Sequence, residues 1–275
     1  MAVATRKLTT TEAEIRQARM PFWQQVTMLT WRNLKIVVRT PEGIIPSIAI
    51  SVFFLLIYDG SFSEAATFIP GLGSNYLAFI LPFSLVSSAL SGSSVVGLSL
   101  VRDIESGYFD KLLLTPVSRA ALLLGPILAG GVALAFQTVL VIVLALIIGM
   151  DVATGVPGLL AVLGLSMLVG IGFGGFTVGV ALRTGSAAAT SGASFLFFPL
   201  SFLTAANVPL ELLTGWIKTA ATLNPITYIL EAMREILRFG WDGDIIAKGL
   251  IACAVLFFIP YLFALTGLRA RTRRK

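Results

Sequence analysis

The chain has 275 residues, of which 56% are hydrophobic and only 12% charged, and its mean hydropathy is +0.91. A water-soluble domain carries about 25% charged residues, so this composition excludes one and places the chain in a membrane. With no His and a single Cys, Cys253, it also excludes imidazole catalysis, His-bearing metal sites and an intrachain disulfide framework, and its net charge of +6 reads as a topology signal, because little polar surface remains on which nucleic acid could lie.

Residues 1–21 form a polar N-terminal tail without the short apolar run and small-residue cleavage site of a secretory signal, so no cleavage is expected. Residues 22–40 read as an amphipathic interface helix. At about 100° per residue, Gln24, Gln25, Met28, Arg32, Lys35 and Arg39 share one arc, and Phe22, Val26, Leu29, Leu34, Ile36 and Val37 cover the rest. Such a helix is expected to lie in the cytoplasmic interface with Arg32, Lys35 and Arg39 toward lipid headgroups or a protein partner; a lipid anchor without a protein partner is the second reading. Pro41 and Gly43 are expected to break it before the first span.

A membrane domain over 43–268 then holds six apolar stretches, at 43–58, 75–100, 120–149, 156–182, 186–206 and 247–268, and a basic cytoplasmic tail follows at 269–275. About 20 apolar residues cross a bilayer as a helix, whereas a barrel shows short alternating segments. The expected fold class is an all-α membrane protein with six transmembrane helices. The first stretch is the shortest and carries Pro46.

Charge tests this arrangement independently. With alternate loops on opposite sides, one side holds seven Lys/Arg before Gly43, three between Arg102 and Arg119, Arg183 alone and five after Leu268, sixteen in all. The other side holds four, all between Asn207 and Lys248. By the positive-inside rule both termini are expected in the cytoplasm, with the protein in the cell inner (plasma) membrane. The interiors of the stretches contain no Asp, Glu, Lys or Arg, and Gln137 is their most polar long side chain. Ion-coupled carriers use intramembrane charges to hold the coupling ion, so their absence argues against a secondary transporter.

Between the second and third stretches lies VRDIESGYFDKLLLTPVSR, 101–119, a short charged helix interrupted at Gly107 and ended by Thr115 and Pro116. Leu112, Leu113 and Leu114 suit docking on another protein or packing under the bundle. Between the fifth and sixth stretches, 207–240 is too long for a tight connection and too apolar for a free loop, so it reads as two short outer-side helices broken at Asn224 and Pro225. The second of these carries Ile226, Ile229, Met233, Ile236 and Leu237 on one side, with Glu231 and Arg234, and Glu235 and Arg238, as i,i+3 pairs.

Both segments resemble the type 2 ABC transporter permeases, including drug-resistance exporters. In the first, the recurring positions are Arg102, Asp103, Glu105, Gly107, Phe109, Asp110, Leu112, Leu113, Thr115, Pro116, Val117, Ser118 and Arg119; in the second, Leu203, Thr204, Pro209, Trp216, Asn224, Pro225, Thr227, Ala232, Met233 and Arg234. Thr214 and Gly215 stand where relatives often have Leu-Pro. The resemblance implies a membrane subunit that pairs with a second permease chain, identical or homologous, and with cytoplasmic ABC ATPase subunits. It implies that Arg102, Asp103, Glu105, Gly107, Phe109, Asp110 and Leu113 belong to a coupling helix seated in an ATPase cleft, flanked by the helix at 22–40. Trp216, Asn224, Pro225 and Arg234 would form the outer-side motif.

The residues agree that no motor is expected in this chain. No G-x-x-x-x-G-K-[ST] occurs, and the six stretches leave no contiguous polar segment of even the roughly 50 residues of the smallest domains. No cofactor is expected here; ATP and Mg would sit on the partner subunit. Gly170, Gly172 and Gly175 satisfy G-x-G-x-x-G formally, but they lie inside an apolar stretch with no preceding strand. They read as helix-packing positions, Gly170 with Gly174 and Gly175 with Gly179, like Ser84, Ser88 and Gly92, either within one subunit or at a dimer contact. Phe195, Phe197, Phe198 and Phe202 read as lipid-facing, core or pathway residues. The expected function is export of hydrophobic drug, lipid or lipid-linked cargo. The alternatives are a polysaccharide or glycolipid exporter and a non-transporting membrane scaffold; a membrane-embedded enzyme is disfavoured by the lack of a polar constellation within the stretches.

Overall fold

The computed structural model describes residues 20–66, 68, 75–195, 197–204 and 210–273. Most of the N-terminal tail, Asn207, Pro209 and the last two residues of the basic tail lie outside the described residues, as do the side chains of Phe197 and Phe198. The described residues form helices and no strand. In chain order these are α1 (Phe22–Arg39), α2 (Pro41–Ala66), α3 (Tyr76–Glu105), α4 (Tyr108–Leu113), α5 (Arg119–Ile148), α6 (Gly155–Thr184), α7 (Ala187–Phe195), α8 (Phe197–Phe202), a 3₁₀ turn at Leu210–Leu212, α9 (Gly215–Leu223), α10 (Pro225–Arg238) and α11 (Gly243–Arg273).

Five helices, α2, α3, α5, α6 and α11, are long and apolar enough to cross a membrane, which makes this a multi-pass membrane protein. The stretch expected as a fifth span, 186–206, is described as α7 and α8 on either side of residue 196, which lies outside the described residues. The 16 residues from Ala187 to Phe202 reach about 24 Å as helix, short of the roughly 30 Å hydrocarbon core. The first stretch departs in the other direction. Hydropathy drops at Asp59, but the backbone hydrogen bonds of α2 continue to Ala66, giving 26 residues where the apolar run has 16. Pro41 occupies the start of this helix, where its missing N–H is harmless, so the break from α1 is the single residue Thr40.

The bundle is built around α3. Seventy-eight per cent of its most apolar window is buried, against α2, α5, α6, α7 and α10. Polar side chains knit this centre. Gln137 on α5 is 4% exposed, and its Oε1 accepts from Ser47 Oγ of α2 and Ser88 Oγ of α3, both at 2.9 Å. Ser51 Oγ donates to the carbonyl of Ser84, and Thr177 Oγ1 to that of Ser93. In apolar surroundings each such hydroxyl needs an acceptor, and these bonds fix which helix faces which.

The glycines of α6 pack within the chain. A Cβ at Gly170 would lie 3.0 Å from Leu134 of α5, one at Gly172 2.7 Å from the Leu256 backbone oxygen of α11, and one at Gly175 3.4 Å from Pro260. Gly92 likewise faces Ser47 of α2. These small residues let helix axes approach and gain dispersion contact where no hydrophobic effect operates between helix and lipid.

Candidate coupling site

The segment after α3 begins with a required turn. Gly107 has φ +70°, and a Cβ there would meet nothing within 4 Å, so conformation rather than space demands glycine. The turn reverses the chain into the six residues of α4, and Ser118 then caps α5 by accepting from Ala121 N at 3.1 Å.

Two ties from α1 bracket this segment. Arg32 Nη1 and Nη2 donate to both oxygens of Asp103, at 2.7 and 2.6 Å, and the guanidinium lies 4.2 Å over the ring of Tyr108. Hydrogen bonding to Asp103 holds the Arg32 pKa above its ordinary value. At the other end Gln25 Oε1 accepts from Ser118 N at 2.8 Å, while Gln25 Nε2 donates to Met20 O at 2.7 Å. Gln25 and Arg32 are seven residues apart, two turns of helix, and therefore share a face. Leu29 lies between them against Gly125 of α5, where a Cβ would come within 2.5 Å of it. The polar arc of α1 thus turns partly inward, toward residues 101–119. Outward it presents Trp23, Met28, Trp31 and Val38 together with Lys35 and Arg39; Lys35 Nζ lies 5.4 Å from the Trp31 ring centre.

The structure divides the sequence-selected residues into two groups. Arg102 and Glu105 are exposed, with Lys111 and Leu114, the latter 88% exposed. Phe109 is 1% exposed and belongs to the core beneath the segment with Val101, Leu123 and Leu182; Leu113 packs on the same core. Phe109 therefore anchors α4 to the bundle from the inner side of the segment. Asp103 is engaged by Arg32, and Asp110 is partly buried. Tyr108 and Gln25 are contributors that motif reasoning passes over. The shared arc of Gln25 and Arg32 is the sequence signal for the second; none marks the first.

At the far end of α3, about 45 Å away by helix rise, the remaining selected residues form a structural junction. Asn224 caps α10, its Oδ1 accepting from Ile226 N at 3.0 Å, and its Nδ2 donates to the carbonyls of Leu200 and Leu203, tying α8 to α10; Pro225 takes the first helical position. Arg234 is 5% exposed, donates from Nε to Phe79 O of α3 at 2.9 Å and lies 3.6 Å over the Phe79 ring. Burial pushes its pKa down to about 9, which still leaves it charged at neutral pH. Trp216, at the start of α9, is 70% exposed.

Comparison with known proteins gives this arrangement a family. Residues 24–237 match the family described as ABC-2 type transporter. Similar proteins include the "Probable doxorubicin resistance ABC transporter permease protein DrrC" of Mycobacterium tuberculosis, 26% identical over 94% of this chain and 99% of that protein. Another is the "Daunorubicin resistance ABC transporter permease protein DrrB1" of Streptomyces coeruleorubidus, 27% identical over 81% of this chain and 80% of that protein. The matched region takes in α1, the bracketed segment and the Arg234 junction together, and the chain belongs to the ABC-2 type transporter family of membrane permeases.

Proposed function

We propose that this chain is the membrane subunit of an exporter, driven by ATP hydrolysed on a separate ABC ATPase subunit that holds the nucleotide and Mg. It works beside a second permease chain and moves hydrophobic drug, lipid or lipid-linked cargo outward. The observation that carries the reading is the bracketed segment at 101–119, whose exposed Arg102, Glu105, Lys111 and Leu114 stand on a base held by Arg32, Gln25 and Phe109. A partner that grips this surface moves α1, α3 and α5 together, because the segment is continuous with α3 and α5 and tied to α1. For ATP to drive transport, the ATPase must bind one arrangement of these helices better than the other.

Both termini face the cytoplasm, in line with the charge asymmetry, and α7 and α8 together make the sixth crossing, shorter than the other five. The outward face of α1, with its Trp and basic side chains, rests on the cytoplasmic headgroups. The drug-resistance names of DrrC and DrrB1 and the uncharged helix interiors favour apolar cargo. Glu105→Ala and Gly107→Ala should each leave membrane insertion intact and lower cargo-stimulated ATPase activity of the reconstituted complex about tenfold or more. Normal transport by both variants at equal expression would sink the coupling assignment. Stable isolation without any ATPase would favour a scaffold.

A further inference from the structure

At the end of the bundle opposite the coupling segment, α10 and α11 meet closely at Gly249, where a Cβ would collide with Ala232. Beside this contact lies a groove of about 430 Å³. Leu223, Pro225 and Tyr228 form one wall and Ile251 and Val255 the other, with Lys248 at the mouth. From Lys248 to Val255 is two helical turns, about 10 Å of depth, which fits within one leaflet. Trp216, Phe239 and Trp241 are exposed at this same end, the placement of an interfacial aromatic belt.

The surroundings specify what lies in the groove. Ile251 and Val255 continue along α11 into exposed Phe258, Ile259 and Leu262, so the groove opens onto the hydrocarbon-facing side of a membrane-spanning helix and its apolar walls meet acyl chains. The mouth carries both signs of charge. Lys248 Nζ donates to Asp244 Oδ2 at 2.6 Å, and Asp242 caps α11 by accepting from the backbone N–H groups of Asp244 and Ile245. A phosphate is complementary to Lys248 and a primary ammonium to the Asp244 carboxylate, so a headgroup bearing both can replace this exposed ion pair with two contacts. A purely anionic headgroup would meet Asp242 and Asp244, and a quaternary ammonium has no N–H to give them.

We propose that this groove is a binding site for a phospholipid with a phosphoethanolamine headgroup, one acyl chain lying between Tyr228 and Val255, its phosphate on Lys248 and its ammonium on Asp244. The test uses the full chain in lipid nanodiscs with a phosphatidylethanolamine carrying a photoactivatable diazirine in its acyl chain, and maps the labelled residues by mass spectrometry. Labelling should fall on Tyr228, Ile251 or Val255. Excess unlabelled phosphatidylethanolamine should suppress it about tenfold, with phosphatidylcholine and phosphatidylglycerol much less effective. Ile251→Trp, which fills the groove from an exposed position, should cut labelling by a similar factor, and Lys248→Glu should remove the headgroup preference. Equal competition by all three lipids on the unmodified chain, or labelling that Ile251→Trp leaves unchanged, overturns the proposal. Neither result bears on ATPase docking, so the exporter reading stands or falls separately.

Discussion

Arg32 shows how much one side chain can organise. Its fork matches both oxygens of Asp103 while its plane covers Tyr108, a combination that lysine cannot reproduce. Because Asp103 is half-buried, removal of Arg32 leaves a carboxylate with reduced access to water. A double-mutant cycle of Arg32→Ala and Asp103→Ala should return a coupling of about 1–3 kcal/mol in thermal melts of the purified permease. Additive effects of the two changes would show that the pair contributes nothing measurable. Arg32→Lys should recover only part of the loss.

Among elements, α6 tests packing most cleanly. A methyl at Gly172 would press on both the side chain and backbone oxygen of Leu256, whereas one at Gly164 would meet nothing within 4 Å. Gly172→Ala should therefore lower the melting temperature, at a cost of about 1–3 kcal/mol, and Gly164→Ala should not; equal melting of the two would refute close packing of α6 on α11. The contrast also marks what is legible in the sequence. Hydropathy locates the long helices because every backbone polar group in lipid must be satisfied within its own helix. It misjudges α2, whose hydrogen bonds outlast its apolar run, and the 186–206 stretch, whose described helical residues lie between Ala187 and Phe202. Small-residue spacing announces close packing, but which helix fills the gap depends on where Leu134, Leu256 and Pro260 arrive from distant parts of the chain. The coupling motif likewise names Glu105 and Phe109 alike, and only the fold separates the exposed residue from the buried one.

For the molecule as a whole, that separation predicts two distinct phenotypes from neighbouring substitutions. Leu114→Asp changes an 88% exposed side chain and should leave the melting temperature unchanged while weakening ATPase co-purification about tenfold. Phe109→Ala empties a core position and should destabilise the permease by about 3–5 kcal/mol before any effect on docking is seen. Identical behaviour of the two variants would mean that α4 and its C-cap Leu114 do not present an outer and an inner side. The two arginine contacts on α3 have a further mechanical meaning. Arg32 holds the last turn of that helix through Asp103, and Arg234 holds its first turn through the carbonyl of Phe79. Bonds of this length cannot survive a one-turn shift of α3 along its own axis, and both would break at once. Nor can they survive a tilt of about 10° about the middle, where Ser88 meets Gln137, because that carries Asp103 about 4 Å sideways unless α1 moves with it. The central helix is pinned at both ends, so it carries α1 and α10 with it when it moves, or gives up these bonds.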